Sequence, residues 1–198
     1  TRYLAGLANM VATGAAIRVV TLDMRGHGPT PVRRGDVDYV DQQEHDIADL
    51  LSHLRSQGPY TRFLLGGHSL GGGLAIRYAA GRQQPKPDGL VLLAPYVHRN
   101  SPAARPDAGG WATPFITRFA GIEMLQRVGL RRFDHLPVLR FELPPEADNG
   151  SKTPVYSWRL FASATPRDDW KGEIARIDAP LLVLAGANDS VFRPEGYA

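Results

Sequence analysis

The stretch Gly66-Gly67-His68-Ser69-Leu70-Gly71-Gly72 decides the fold, because it places a serine between two glycines at G-x-S-x-G spacing. The preceding Phe63-Leu64-Leu65 is typical of a strand, and residues 74–80 favour a helix. In a nucleophile elbow, a tight strand-to-helix turn holds the serine hydroxyl out at the edge of a sheet. Side chains two residues before and after the serine would collide with the neighbouring strand and helix, so glycine is expected at both positions. The spacing therefore predicts a nucleophile at Ser69.

The helix that follows the serine has its N-terminus beside the predicted nucleophile. The backbone N–H of Leu70 is then positioned to stabilise an oxyanion. A glycine-rich turn that binds phosphate is the alternative interpretation of this segment. Phosphate loops carry G-x-G-x-x-G or G-K-[ST] patterns, and the segment has neither. The elbow is therefore the favoured interpretation.

On either side of this turn, residues 1–95 alternate between helix-like and strand-like patterns. The predicted helices are 3–13, 40–56 and 70–82, and the predicted strands are 17–22, 62–67 and 90–94. A further apolar strand is predicted at 181–185. This order is typical of an α/β fold with a mostly parallel sheet and helices on both faces.

Residues 96–170 interrupt the alternation with many prolines, few strand-like runs and several short amphipathic helices. We interpret them as a cap inserted between two parts of the core, 1–95 and 171–198. Within the cap, residues 114–128 present a wide apolar helix face that either packs on the sheet domain or lines a substrate pocket. Phe115 and Phe119 are the candidates for a pocket. The same two alternatives stay open for Trp111, Trp158, Phe161 and Trp170.

The composition excludes several classes of site and partner. The chain of 198 residues has no cysteine, which excludes disulfides, zinc-thiolate sites and cysteine nucleophiles. No apolar run approaches the ~20 residues that span a bilayer, so no stable membrane span is expected. The net charge is +3, and the 20 arginines among the 23 basic residues are scattered. A nucleic-acid partner is therefore not expected, because such proteins cluster their basic residues on one face.

Four segments together resemble the α/β-hydrolases, most closely the monoacylglycerol-lipase-like esterases and the serine aminopeptidase-like hydrolases. The segments are residues 20–28, 66–72, 92–95 and 179–189. The resemblance implies an α/β-hydrolase fold with a helical cap, and it places the catalytic acid at Asp189. That carboxylate would accept the ring N–H of a histidine and stabilise the imidazolium. The alternative is an aspartate in an ordinary strand-end turn.

The histidine that completes the triad is missing from its expected place. In this family it follows the acid, and the nine residues after Asp189 contain no histidine. His27 is interpreted as a loop residue near the cleft and His68 as a packing residue. The remaining histidines lie on a predicted surface helix or in the cap: His45, His53, His98 and His135.

A second oxyanion donor is also missing, because the family supplies it from a loop after an earlier strand. In the family sheet that strand lies between the predicted strands at 17–22 and 62–67. The sequence begins at Thr1 rather than at a methionine. We therefore expect the chain to be a piece of a longer hydrolase, truncated at both ends.

The apolar cap favours a small-molecule acyl ester as substrate, such as a monoglyceride, a lysophospholipid or a synthetic short-chain ester. An aminopeptidase or amidase acting through the same triad would need an acidic group for the free amine. A non-catalytic relative that binds a ligand is the third alternative. No metal or organic cofactor is implied, because the triad supplies nucleophile, base and electrostatics. The acidic candidates for an amine site are Glu123, Glu142 and Glu146.

Overall fold

The computed structural model describes residues 5–14, 17–106, 110–143 and 150–198, and its main sheet is the predicted parallel one. Strands β1 (Leu64–His68), β2 (Gly89–Leu93) and β6 (Leu181–Leu184) pair in the order β1-β2-β6, all parallel. The register aligns Leu65 with Leu90, and Leu92 with Val183. These side chains therefore share one face of the main sheet.

Helices α3 (Leu70–Ala80) and α6 (Trp170–Ala175) cover that face. Leu90 and Leu92 are almost fully buried against Ala75 and Ile76 of α3. Burying a side chain of this size contributes roughly 1.5–3 kcal/mol. On the opposite face the strand side chains are 50% or more exposed at Leu64, Leu182 and Leu184.

Helix α2 (Gln42–Ser56) occupies most of the predicted helix 40–56. Its apolar stripe, with Ile47 and Leu51, packs on Leu74 and Tyr78 of α3. Helix α1 (Ala5–Gly14) corresponds to the predicted helix 3–13, of which Tyr3 and Leu4 lie outside the described residues. No helix in the described ranges is both long enough and apolar enough to cross a bilayer.

The predicted strand at 17–22 is wrong, because these residues have no regular secondary structure. The side chains of Ile17, Val19 and Val20 are 37–49% exposed. β-branched residues favour a strand only where a neighbouring backbone is available for pairing and packing. In the family sheet another strand separates this segment from β1, and the described residues include no strand in that position.

Residues 96–170 contain more strand than the sequence predicts. They form a second sheet, antiparallel in the order β3-β4-β5, from β3 (Ala112–Pro114), β4 (Pro137–Phe141) and β5 (Val155–Ser157). Two of these strands have three residues each, and prolines lie at the ends of β3 and β4. Prolines are typical of loops and strand edges, which explains why the pattern predicts so little strand here.

Helices α4 (Ile116–Arg127) and α5 (Trp158–Ala164) accompany the second sheet. α4 contacts β4, and α5 contacts β4 as well as α2 and α3. The wide apolar face predicted for residues 114–128 is buried in part: Ile122 is 2% exposed, whereas Ile116 and Met124 are each 67% exposed. α5 is therefore the element that joins the second sheet to the helices of the main sheet.

A buried ion cluster joins α2, α3 and α6. Arg77 is 4% exposed, and its Nε donates to Glu44 Oε2 at 2.8 Å while the guanidinium also pairs with Asp41. Arg167 pairs with Glu44 at 3.3 Å and with the fully buried Glu173. Desolvation by burial raises the pKa of Glu44, and the charges of Arg77 and Arg167 oppose this shift and favour the ionised carboxylate. The helices are thus joined by charges that cannot easily lose their partners.

Arg77→Ala should lower the free energy of unfolding by about 3–5 kcal/mol, because it removes the closest cation from the buried Glu44 carboxylate. Arg176→Ala is the matched control, since Arg176 pairs with Asp169 on the surface. Its cost should stay below about 1 kcal/mol. Urea unfolding of both variants measures the difference, and equal losses would contradict the importance of the cluster.

Candidate active site

Ser69 is the single residue between the end of β1 and the start of α3. Its backbone is in a sparsely populated conformation, with φ of 52° and ψ of −121°. Such a residue costs on the order of 1–3 kcal/mol and persists only where its surroundings hold it. Ser69 therefore has the strand-turn-helix setting that the G-x-S-x-G spacing predicts, while its role as nucleophile stays a prediction.

Four backbone hydrogen bonds hold Ser69 in this conformation. Its N–H donates to the carbonyl of Leu93 at 3.0 Å. Its carbonyl accepts from the N–H groups of Gly72 at 2.9 Å, Gly73 at 3.1 Å and Tyr96 at 2.9 Å. The turn is thus fixed by α3 on one side and by the end of β2 and the following segment on the other.

The glycines around the serine differ in how much space their surroundings leave for a side chain. A Cβ on Gly67 would lie 2.1 Å from the carbonyl oxygen of Gly71, as the elbow requires. The same expectation is wrong for Gly71, where a Cβ would meet nothing within 4 Å. The close approach falls instead on Gly72, whose Cβ would lie 2.7 Å from that of Pro95, and on Gly73.

Gly67→Ala and Gly71→Ala form a matched pair that tests this geometry. The alanine at 67 should cost about 1–3 kcal/mol of stability, because its Cβ collides with a backbone oxygen that cannot move freely. The alanine at 71 should leave stability unchanged or slightly raised, because it replaces an exposed helical glycine. Thermal unfolding of the two variants checks this, and a destabilised alanine at 71 would contradict it.

Leu70 is the first residue of α3, so its N–H belongs to the helix end that lacks intrahelical acceptors. Its side chain packs against the buried cluster of the second sheet, which includes Ile122, Tyr156 and Leu160. The side chain thus anchors the residue while its backbone N–H lies beside Ser69. The oxyanion role of Leu70 stays a prediction.

Asp189 lies in the turn after β6, at the same edge of the main sheet as Ser69. Carboxyl ends of parallel strands meet at one edge, and β2 alone separates β1 from β6, a distance of roughly 10 Å. Asp189 Oδ1 accepts from the N–H groups of Val191 at 2.8 Å and Phe192 at 2.9 Å. An orienting bond to an imidazole would therefore fall to Oδ2.

The Asp189 carboxylate also acts on the ring of His68, the residue before the serine. Burial lowers the pKa of His68, and the negative charge of Asp189 partly opposes this shift. His68 itself lies at the end of β1, on the face opposite Leu65.

His27 is held as a neutral structural residue. Its Nδ1 lies 3.1 Å from the carbonyl of Arg25 and must donate to it, so Nε2 accepts from the hydroxyl of Tyr156 on β5. Burial lowers the pKa of His27, which agrees with a neutral ring. Both ring nitrogens of His27 therefore have hydrogen-bond partners, which agrees with the interpretation of His27 as a loop residue.

Three of the other four histidines make contacts of their own. His98 Nδ1 accepts from the N–H of Asn100, and its ring stacks on Trp170 at 6.2 Å. His45 contacts the Tyr39 hydroxyl, and His135 Nδ1 lies 2.9 Å from a carbonyl within its own loop. His53 is an exposed residue of α2. Within the described ranges, no three His, Asp or Glu side chains are gathered as a metal site requires.

A chain of aromatic contacts leads from Tyr96, the residue whose N–H is bonded to Ser69, to α4. The rings of Tyr96 and Phe161 lie 6.2 Å apart, and those of Phe161 and Phe119 lie 5.7 Å apart. All three side chains are half-buried, and the Tyr96 N–H is bonded to the Ser69 carbonyl. Tyr96 is a candidate that the sequence did not single out, since its position after Pro95 is its only signal.

Phe115 has a different environment from Phe119. The guanidinium groups of Arg118 and Arg140 lie over its ring, at 5.2 and 5.7 Å from the centroid, and both arginines are exposed. Phe119 is therefore connected to the surroundings of Ser69 through Phe161 and Tyr96, whereas the ring of Phe115 is covered by two exposed arginines. A role for either residue in binding substrate stays a prediction.

Comparison with solved structures defines the class of fold. A soluble variant of monoglyceride lipase from Saccharomyces cerevisiae, solved with a substrate analog, aligns at a TM-score of 0.57 and 19% identity, over 88% of this chain and 60% of that one. A pyrethroid hydrolase from Sphingobium faniae JZ-2 aligns at 0.51 and 16%, over 94% and 84%. The predicted α/β-hydrolase fold is confirmed.

The particular family follows from the sequence match. All of residues 1–198 match the family described as "Serine aminopeptidase, S33", and the chain belongs to that family. Protein phosphatase methylesterase 1 from Bos taurus is 32% identical over 76 residues, which are 38% of this chain and 20% of that protein. The matched region is thus a small part of this relative, and the chain spans 60% of the yeast lipase.

Proposed function

We propose that the chain carries the nucleophile and the acid of a serine hydrolase that cleaves carboxylic esters. Ser69 is the nucleophile, the Leu70 N–H is an oxyanion donor, and Asp189 orients a histidine supplied from outside these 198 residues. The observation that carries the proposal is the strained backbone of Ser69, held by four hydrogen bonds at the sheet edge that also bears Asp189. Strained residues of this kind cluster at active sites, which is why the backbone of Ser69 supports the proposal.

The reaction follows from these positions. The histidine removes the proton of Ser69 Oγ as the oxygen attacks the ester carbonyl, and the tetrahedral oxyanion accepts a hydrogen bond from Leu70. The imidazolium, stabilised by Asp189, then donates its proton to the departing alcohol, which leaves an acyl-serine. Water attacks the acyl group by the same steps in reverse, releasing the acid and restoring the serine.

Apolar surroundings support an acyl ester as the substrate. Leu70, Phe119 and Phe161 are half-buried against one apolar cluster, and Phe161 contacts the ring of Tyr96, whose N–H is bonded to the Ser69 carbonyl. We call these four side chains the apolar wall. Such a wall gains energy by burying the methylenes of an acyl chain. The Bos taurus relative, named as a methylesterase, belongs to the same reaction class.

Ser69→Ala in the full-length protein should abolish hydrolysis of p-nitrophenyl butyrate, with a loss on the order of 10⁴–10⁶-fold in kcat. Asp189→Asn should lower kcat by about 10⁴-fold. Ser56→Ala, an exposed serine at the end of α2, is the control and should keep full activity. Equally slow hydrolysis by the wild type and Ser69→Ala would instead favour a relative that binds ligand without turnover.

Phe119→Ala should reduce kcat/KM for p-nitrophenyl octanoate relative to the acetate by roughly tenfold or more, because each buried methylene contributes to specificity. Phe115→Ala is the matched variant and should leave that ratio unchanged. A chain-length series of nitrophenyl esters measures both. A larger effect at 115 than at 119 would instead place the acyl chain against the Phe115 ring.

An aminopeptidase is the second candidate, favoured by the description of the family. Binding a free amine requires a carboxylate near the serine. Glu123 lies on α4, and Glu142 accepts from the hydroxyl of Thr113 in β3, while Glu146 lies outside the described residues. Preferential cleavage of an aminoacyl nitroanilide over its N-acetylated form, together with inert esters, would favour this candidate.

A further inference from the structure

The turn that bears Asp189 is held by a segment from a distant part of the chain. Residues 101–105, which follow β2, lie against residues 189–193, which we call the acid loop. Ala104 forms an antiparallel bridge with Phe192, and the Arg193 N–H donates to the carbonyl of Ala103 at 2.9 Å. Ala103 is 1% exposed and Phe192 is 8% exposed. The acid loop is therefore seated on a buried, hydrogen-bonded surface.

Arg105 makes the most specific contacts in this interface. Its Nε donates to the carbonyl of Phe192 and its Nη2 to the carbonyl of Asp189, each at 3.2 Å. A planar guanidinium can hold two acceptors in a fixed geometry, which a lysine ammonium at the end of a flexible chain does less well. One side chain thus fixes both ends of the turn from Asp189 to Phe192.

The same turn supplies the donors that hold the carboxylate. The N–H groups of Val191 and Phe192 both donate to Asp189 Oδ1. The direction of these N–H groups depends on the backbone that Arg105 holds through the two carbonyls. Loss of the guanidinium would therefore loosen the two bonds that orient the carboxylate.

We propose that Arg105 is a positioning residue, which fixes the acid loop so that Asp189 presents its carboxylate to the histidine of the triad. The inference rests on the proposed hydrolase function, in which Asp189 orients and stabilises that histidine. The hydrogen bonds of Arg105 go to the backbone carbonyls of Phe192 and Asp189. Its effect passes through Asp189, and a displacement of about 1 Å at such a group can cost about 100-fold in rate.

The test compares Arg105→Gln and Arg105→Lys with Arg99→Gln in the full-length protein. Arg99 lies in the same part of the chain but is 55% exposed and reaches Asp168 only at 3.9 Å. Both Arg105 variants should lower kcat for p-nitrophenyl butyrate by roughly 10- to 100-fold with KM unchanged. The Arg99 variant should match the wild type.

The pH profile separates positioning from simple loss of folded protein. A poorly oriented Asp189 stabilises the imidazolium less, so the pKa of the triad histidine falls and its neutral form persists to lower pH. The acid limb of kcat/KM should therefore move to lower pH in the Arg105 variants. A lower rate with an unmoved acid limb, in proportion to the folded fraction, would overturn the inference.

Amide hydrogen exchange gives a readout that does not need turnover. Exchange at Val191 and Phe192 should accelerate in the Arg105 variants and stay unchanged in Arg99→Gln. If Arg105→Gln does not fold, the milder Arg105→Lys decides by the same measurements. If the wild type hydrolyses no ester, the proposed function fails, and unchanged exchange at these amides would separately overturn the role of Arg105.

Discussion

The rest of the site depends on the hydrogen bonds that the carbonyl of Ser69 accepts. It accepts N–H groups from Gly72 and Gly73 in α3 and from Tyr96 after β2, so one oxygen ties a helix to the segment after a neighbouring strand. A positive φ at a serine costs on the order of 1–3 kcal/mol. Each backbone bond contributes about 0.5–1.5 kcal/mol. The bonds around the turn are therefore of the size needed to offset its strain.

The sequence could predict this turn because its determinants are local. The serine, the glycine two residues earlier and the flanking strand and helix all lie within about twenty residues, and the structure keeps them in that order. The role of the later glycines was less predictable, since their contacts are with Pro95 and Tyr96. Spacing alone indicates that glycines are needed, whereas the tertiary contacts decide which of them must approach another backbone.

Non-local pairing explains the errors. Residues 17–22 have the composition of a strand, but a strand requires a partner, and no sequence window contains that information. The strands β3 and β5 show the converse case. Each has only three residues, too few to show the alternation of apolar and polar residues that predicts a strand, yet each pairs with β4. The catalytic role of Asp189 was predicted only from a resemblance to a family, and its hydrogen bonds to Val191 and Phe192 could not be predicted from the sequence. The sequence did not distinguish Arg105 from the other scattered arginines, because its hydrogen-bond acceptors lie 84 and 87 residues further along the chain.

The segment that follows β2 connects the parts of the site. Its Tyr96 N–H is bonded to Ser69, its Pro95 carbonyl accepts from the Tyr197 hydroxyl after the acid loop, and its Arg105 holds Asp189. The boundary at residue 96, drawn from the change in composition, stays a prediction. The serine and the acid follow strands β1 and β6, which do not touch because β2 separates them. Their relative position is thus set by β2 and by the twelve residues after it, which makes this segment part of the catalytic framework in the proposed function.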